Sequence, residues 1–309
     1  MLNKDELFLI CCKLDLTSIT NLSLCNKKMY EDVCRSEIWN YKMREFPNFR
    51  PYKKWFVNMS CKNIYIVSYH LKLLKDELWM LDENMYDIYI SSRLNLIRSI
   101  NFIPQEFKML RNLRKLNLIE NDIGDFPKEV CGLTNLQKLC LRYNYIKEIP
   151  LSCKNMINLQ YLDLSMNSLN FLPEEIGNLK NLEKLILSSN EITELPQGIG
   201  NLINLKRLNL TNNKIKIFPE EIGELINLRK FYAGENKIEV LPEEIGELIN
   251  LRVLDLSGNI IKNFPKNMTN LINLENLDVR NNQLEDISIL SGLERLRHLS
   301  LKNNKLPHN

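Results

Sequence analysis

Residues 113–135 read LRKLNLIENDIGDFPKEVCGLTN, and the frame inside them, Leu113-x-x-Leu116-x-Leu118-x-x-Asn121, decides the fold. The frame returns every 23 residues. Its asparagine recurs at Asn144, Asn167, Asn190, Asn213, Asn236, Asn259 and Asn282, and a ninth copy closes at Asn304 after a unit of 22. A second column keeps the same beat, because Pro104, Pro127, Pro150, Pro173, Pro196, Pro219, Pro242 and Pro265 make up eight of the eleven prolines. Two columns in phase over so many units identify a repeat array.

In Leu116-Asn117-Leu118 and its copies, alternation sends leucines to one side of a short strand and the intervening residue to the other. Copies laid side by side make a parallel sheet. Each inward leucine contributes roughly 1.5–3 kcal/mol by leaving water, yet one unit alone has no neighbour to bury against, so the array stands only as a stack. The asparagine sits where the chain turns out of the strand, and its amide can both donate and accept. Losing one leaves buried backbone unpaired, at roughly 1–3 kcal/mol. Proline resists sheet continuation and marks entry to the outer face. Acidic residues follow it in Pro173-Glu174-Glu175-Ile176-Gly177 and Pro242-Glu243-Glu244-Ile245-Gly246, as the first turn of a short helix prefers.

These columns resemble the leucine-rich repeat, in the form found in Ras-suppressor and plant intracellular Ras-group proteins, over residues 100–309. The predicted fold class is an α/β leucine-rich repeat solenoid over residues 94–309, one degenerate plus nine repeats. It has a parallel β-sheet on its concave face and short helices or 3-10 turns on its convex face. At its start, Leu94-Asn95-Leu96 is displaced by one residue and Arg98 stands where asparagine is expected, so the first unit reads as a cap. At the far end no helix or polar closing unit is read after the ninth strand, and either a terminal turn suffices there or another chain covers the leucine edge.

Before the repeats, Leu7, Ile10, Cys11 and Leu14 fall at i, i+3, i+4 and i+7 on one helix face. Asp15 or Thr17 can cap a second helix carrying Ile19 and Leu22, Asn26 a third with Met29, Tyr30 and Val33, and Ser36 a fourth with Ile38, Trp39 and Met43. So small an all-α domain, residues 1–47, has trouble burying its own apolar surface and calls for a partner. The stretches Leu2-Asn3-Lys4-Asp5, Leu14-Asp15, Leu22-Ser23-Leu24-Cys25-Asn26-Lys27-Lys28-Met29, Ile38-Trp39 and Phe46-Pro47 resemble the F-box, with Asn3, Asp5 and Asn26 in place of its proline, glutamate and cysteine. The resemblance implies that Leu2, Leu7, Ile10, Leu14, Ile19, Leu22 and Lys27 engage a Skp1-type adaptor held by a cullin complex. It also implies that the repeats present an unknown protein target for ubiquitination. The alternative is a leucine-rich repeat interaction scaffold of the Ras-suppressor kind with no link to ubiquitin, and the bland reading of the helices is a cap for the solenoid. The aromatic-rich segment with Tyr52, Trp55, Phe56, Tyr65, Tyr69 and Trp79 reads as a helical connector over residues 48–93, not a flexible linker.

On the concave face one column reads Lys115, Lys138, Tyr161, Lys184, Arg207, Lys230, Val253, Asn276 and His298. The next reads Asn117, Cys140, Asp163, Ile186, Asn209, Tyr232, Asp255, Asp278 and Ser300. A basic early edge and an acidic later patch suit a partner of complementary charge, although basic side chains also keep an open sheet soluble. The candidate target-binding residues are Lys115, Lys138, Arg142, Tyr143, Tyr161, Lys184, Ile186, Arg207, Lys230 and Tyr232, with the tyrosines as anchors.

With 309 residues, 44% hydrophobic and 26% charged, the chain cannot be wholly disordered. Lys and Arg number 41 against 38 Asp and Glu, a formal charge of +3, so neither nucleic acid nor an anionic membrane is an expected partner. No stretch nears the roughly 20 apolar residues of a membrane span, and Lys4, Asp5 and Glu6 are wrong for a signal peptide. Eight cysteines lack a CxxC pair, which points to free thiols in a reducing compartment, the cytoplasm. The Asn-x-Ser/Thr matches at Asn58, Asn209 and Asn267 are then chance. A single alanine, Ala233, beside 41 asparagines suggests an AT-rich genome. Together with the domain order, it is similar to proteins of giant DNA viruses of amoebae, for which the compartment is the host cytoplasm. No phosphate loop, paired catalytic carboxylates or nucleophile constellation appears in the sequence, so no enzyme activity, cofactor or metal is expected.

Overall fold

The computed structural model describes residues 91–100 and 102–307. The F-box-like stretches, the adaptor-facing residues and nearly all of the connector fall on residues 1–90 and so lie outside the described residues.

Ten strands of three residues each form one parallel sheet in chain order. They are β1 (Arg93–Asn95), β2 (Lys115–Asn117), β3 (Lys138–Cys140), β4 (Tyr161–Asp163), β5 (Lys184–Ile186), β6 (Arg207–Asn209), β7 (Lys230–Tyr232), β8 (Val253–Asp255), β9 (Asn276–Asp278) and β10 (His298–Ser300). Register follows the repeat, with Leu116 opposite Leu139, Leu139 opposite Leu162 and Leu162 opposite Leu185. Those leucines and the second inward column, Leu118, Leu141, Leu164 and Leu187, are buried. At the last strand Leu299 is 40% exposed where Leu277 of β9 is 1% exposed, because β10 has a neighbour on one side only.

The asparagine column ties coil to coil. Asn213 Nδ2 donates to the carbonyl of Leu187 in the preceding coil and to Leu210 in its own, and its Oδ1 accepts from the Ile192 N–H. The same triad of bonds recurs at Asn190, Asn236, Asn259 and Asn282. Since each buried polar group must find a partner, one residue type satisfies three backbone groups per turn.

The first coil corrects the register read from the sequence. Leu94 pairs with Leu116, 22 residues on, so Leu94-Asn95-Leu96 is in line with the ladder and belongs to a unit one residue shorter. The asparagine's place falls on Ser99. Arg98 instead takes the left-handed position, φ 53°, that Glu120 holds at 54° in the next coil. Asn121 Oδ1 accepts from the N–H groups of Ser99 and Ile100, which fastens this coil without an asparagine of its own.

Behind the sheet each proline is followed by a five-residue 3-10 helix, as at Glu174–Asn178, Glu220–Glu224 and Glu243–Glu247. The acidic residues stand in the first turn of their own helices, as expected, and two of them also reach the next coil. Glu174 Oε2 accepts from Gly198 N–H at 2.6 Å, and Glu243 accepts from the N–H groups of Lys266 and Asn267 in the coil after. Each carboxylate thus caps its neighbour's first turn. Glycine marks where these turns approach most closely, since a Cβ on Gly246 would stand 2.3 Å from the Asn267 carbonyl oxygen.

Candidate functional site

The sheet face opposite the core carries the side chains that alternation turns away from the leucines. Its first column, Arg93, Lys115, Lys138, Tyr161, Lys184, Arg207 and Lys230 on β1 to β7, is basic at every strand but one. Parallel pairing holds these side chains in a row across neighbouring strands. The row is electrostatically uncompensated. Among the described residues Lys115, Lys138, Lys184, Arg207 and Lys230 form no salt bridge, and Arg93, then burial and then Lys138 hold the Lys115 ammonium below its ordinary pKa.

Between β3 and β6 the face sinks into a hollow of about 340 Å³. Of the residues predicted from sequence it brings together Arg142, Tyr161, Lys184, Ile186 and Arg207. Lys115, Lys138, Lys230 and Tyr232 flank it on the strands without lining it. Tyr143 lies beyond the end of β3 in left-handed backbone, φ 59°, and is 58% exposed, so it stands at the rim and not on the sheet face. The hollow also uses residues that the sequence reading passed over: Ser165, Met166, Ser188 and Ser189. They occupy the two places after the second inward leucine, and reading those two columns beside the strand columns would have found them.

Inside the hollow, polar groups hold one another in place. The Tyr161 hydroxyl donates to Asp163 Oδ2 at 3.0 Å, and Asp163 Oδ1 accepts from the Ser165 N–H and hydroxyl. Burial first, then the Asp163 charge, raises the Tyr161 phenol above its ordinary value and keeps its proton in place. Burial pushes the Cys140 thiol up to about 11, so this half-buried cysteine is no thiolate nucleophile near neutrality. The Arg207 guanidinium lies over the Tyr232 ring, 5.0 Å from its centroid, and its Nε is buried without a hydrogen-bond partner.

The acidic later patch of the sequence reading is largely spent on itself. Arg280 Nε and Nη2 clamp Asp278, and Asp255 accepts from the N–H and hydroxyl of Ser257. The larger block of charge on the face is the basic row. No group of three or more His, Cys, Asp or Glu side chains among the described residues is placed to hold a metal ion.

Residues 151–233 match the model of a leucine-rich repeat region, residues 250–271 that of a leucine-rich repeat and residues 272–308 that of a two-copy leucine-rich repeat. The array is a leucine-rich repeat solenoid. A leucine-rich repeat protein of Leptospira interrogans is similar over 69% of this chain and 55% of its own, with 34% identity and a TM-score of 0.67. The plant peptide hormone receptor RGFR1, in complex with RGF2, is 28% identical over 70% of this chain and 40% of its own, TM-score 0.56. The leucine-rich repeat ectodomain of the Arabidopsis thaliana receptor kinase GASSHO1/SCHENGEN3, in complex with CASPARIAN STRIP INTEGRITY FACTOR 2, is 28% identical over 66% of this chain and 31% of its own, TM-score 0.50. The chain thus spans about a third to a half of these proteins. A search of curated proteins finds no match. Among the described residues of the solenoid, no helix is long and apolar enough to cross a membrane.

Proposed function

We propose that the protein is an interaction module whose open sheet face, centred on the hollow between β3 and β6, binds a protein partner. The observation that carries this reading is the unpaired basic row running across seven strands beside Ile186 and Tyr232, an arrangement of charge and anchors that core packing does not need. Leucine-rich repeats supply the frame for such a face, and two of the similar solved structures hold a bound partner. The test is site-specific photo-crosslinking of the full chain in cells. A crosslinker at Ile186 or Tyr232 should capture a defined protein, while one at Ile226 on the outer side should not; equal yields from both sides would remove the assignment.

The finer reading makes this module the substrate-recognition component of a Skp1–cullin–F-box ubiquitin ligase in the cytoplasm, with residues 1–47 as the F-box head, 48–93 as the connector and 94–309 as the target-binding solenoid. Its support is the run of F-box-like stretches from Leu2 to Pro47 followed by repeats. Free thiols at Cys131, Cys140 and Cys153 accord with a reducing compartment. Pull-down with a Skp1-type adaptor should succeed for the wild-type chain and fail for Leu7→Asp and Ile10→Asp. Failure of the wild type leaves an interaction scaffold of the Ras-suppressor kind, without ubiquitin.

A further inference from the structure

We infer that the hollow between β3 and β6 is an anion-recognition site that takes an acidic side chain, a carboxylate or a phosphoryl group, from an extended segment of the partner. The inference rests on the protein-binding reading above and names the chemistry of that partner. Three cations, Arg142, Lys184 and Arg207, line the hollow against one anion, Asp163. Asp163 offsets one of the three charges and leaves the hollow net positive. Both of its oxygens are engaged by Tyr161 and Ser165, and it forms no salt bridge among the described residues.

Arg207 makes the site specific. Its Nε is, among the described residues, the buried side-chain donor left without an acceptor, while the face of the Tyr232 ring fixes the guanidinium plane. Arg207 lines the hollow, and a guanidinium held flat against a ring offers a carboxylate or phosphoryl oxygen a pre-set donor edge. The seats for the flanking residues of a bound segment are also present. Lys138 and Lys230 continue the cationic row on either side, and Ile186 offers apolar contact between them. The hollow is lined mainly by charged and polar side chains, whereas pockets for free small molecules are predominantly apolar, so it suits a side chain of a bound segment rather than a cofactor.

The test uses the full chain and a fluorescein-labelled hexaglutamate peptide, read by anisotropy at low and at physiological salt. Binding should weaken about tenfold in Arg207→Met and in Lys184→Met. It should change less than about twofold in Lys214→Met, which removes an equal charge from a lysine outside the hollow that is paired with Glu191. Circular dichroism checks that each variant is folded. A peptide alternating phosphoserine and glycine distinguishes the sources: tighter binding than hexaglutamate, lost in Arg207→Met, assigns a phosphoryl group, and the reverse order assigns a carboxylate. Equal affinity for hexalysine, or a Lys214→Met effect as large as that of Arg207→Met, overturns the inference. If the peptide is not held but a crosslinker at Ile186 still captures a partner, the anion site falls and the protein-binding reading stands.

Discussion

Asn213 and Leu187 lie 26 residues apart in the chain, yet the Asn213 Nδ2 donates to the Leu187 carbonyl at 3.0 Å while its Oδ1 accepts from the Ile192 N–H at 3.0 Å. One amide therefore carries part of the cohesion between two coils. Asn213→Ala leaves the Ile192 N–H buried and unpaired and removes one of the two amide donors from each of the Leu187 and Leu210 carbonyls, which Asn190 and Asn236 still hold, and should cost about 1–3 kcal/mol. Hydrogen exchange checks it locally, because the Ile192 amide should exchange far faster in the variant while amides around β9 stay protected. Uniform loss of protection along the array would mean that coil-to-coil coupling is not local.

A second asparagine ladder runs along the exposed side of the array. Asn227 Nδ2 donates to the Ile203 carbonyl at 2.7 Å and Asn250 to the Ile226 carbonyl at 2.8 Å. The isoleucines just before them, Ile203, Ile226 and Ile249, are 48–52% exposed. Asn227→Ala should cost about 1 kcal/mol, whereas Ile226→Lys should stay within about 0.5 kcal/mol. Chemical denaturation of the pair decides whether the column is held by its amide or by its apolar neighbour.

Gly246 and Gly124 make opposite predictions for the same substitution. A Cβ on Gly246 meets the Asn267 carbonyl at 2.3 Å, and one on Gly124 meets nothing within 4 Å. Gly246→Ala should lose about 1–3 kcal/mol through displacement of the next coil. Gly124→Ala should be neutral or gain about 0.5 kcal/mol, since its φ is not positive and the unfolded chain loses freedom. Thermal melts of the two variants should move in opposite directions or differ by several degrees.

Phe231 and Ala233 occupy two successive inward places that other coils fill with leucines, and both are 0% exposed. The ring of Phe231 packs on Phe218 with centroids 5.1 Å apart. A large side chain beside the chain's one alanine keeps the volume of the coil near that of its neighbours. Ala233→Leu should cost about 1–3 kcal/mol by overpacking, and adding Phe231→Leu should recover part of it. A coupling near zero in the double-mutant cycle would show that the two sites are packed independently.

Burial raises the Cys140 thiol to about 11 and the Cys153 thiol to about 12. At pH 8 the thiolate population of Cys140, and with it the alkylation rate, should be roughly a hundredfold below that of an unfolded control, read by peptide mapping after iodoacetamide. A pKa raised in the folded state favours the neutral thiol. The stability it brings is present below pH 9 and is lost as pH rises toward 12. The denaturation midpoint should therefore fall less steeply with alkaline pH in Cys153→Val than in the wild type.

The first coil shows where sequence reading runs out. A 23-residue frame places Arg98 in the asparagine column, yet the ladder accepts a 22-residue unit and puts Arg98 in the left-handed turn. That turn recurs once per coil, announced by asparagine or glycine at Asn212, Gly258, Asn281 and Asn303 but by nothing at Tyr143, Met166, Ser189 and Glu235, where the neighbouring coil's hydrogen bonds impose the conformation. The spacing places Tyr143 on the face for the same reason. Seen as a string it follows the strand, whereas the positive φ carries it to the rim.

The amino-acid order alone determined the strand, turn and proline columns, since burial of a periodic leucine row admits one stacked arrangement and alternation then dictates which residues face away from it. The candidate face could be named from that alternation. What the tertiary structure decided is which of those side chains meet. Arg142, Lys184 and Arg207 come from three different coils around a hollow whose one carboxylate is already engaged, and the Nε of Arg207 loses both water and partner there. Proximity and desolvation are properties of packed coils, and no spacing along the chain encodes them.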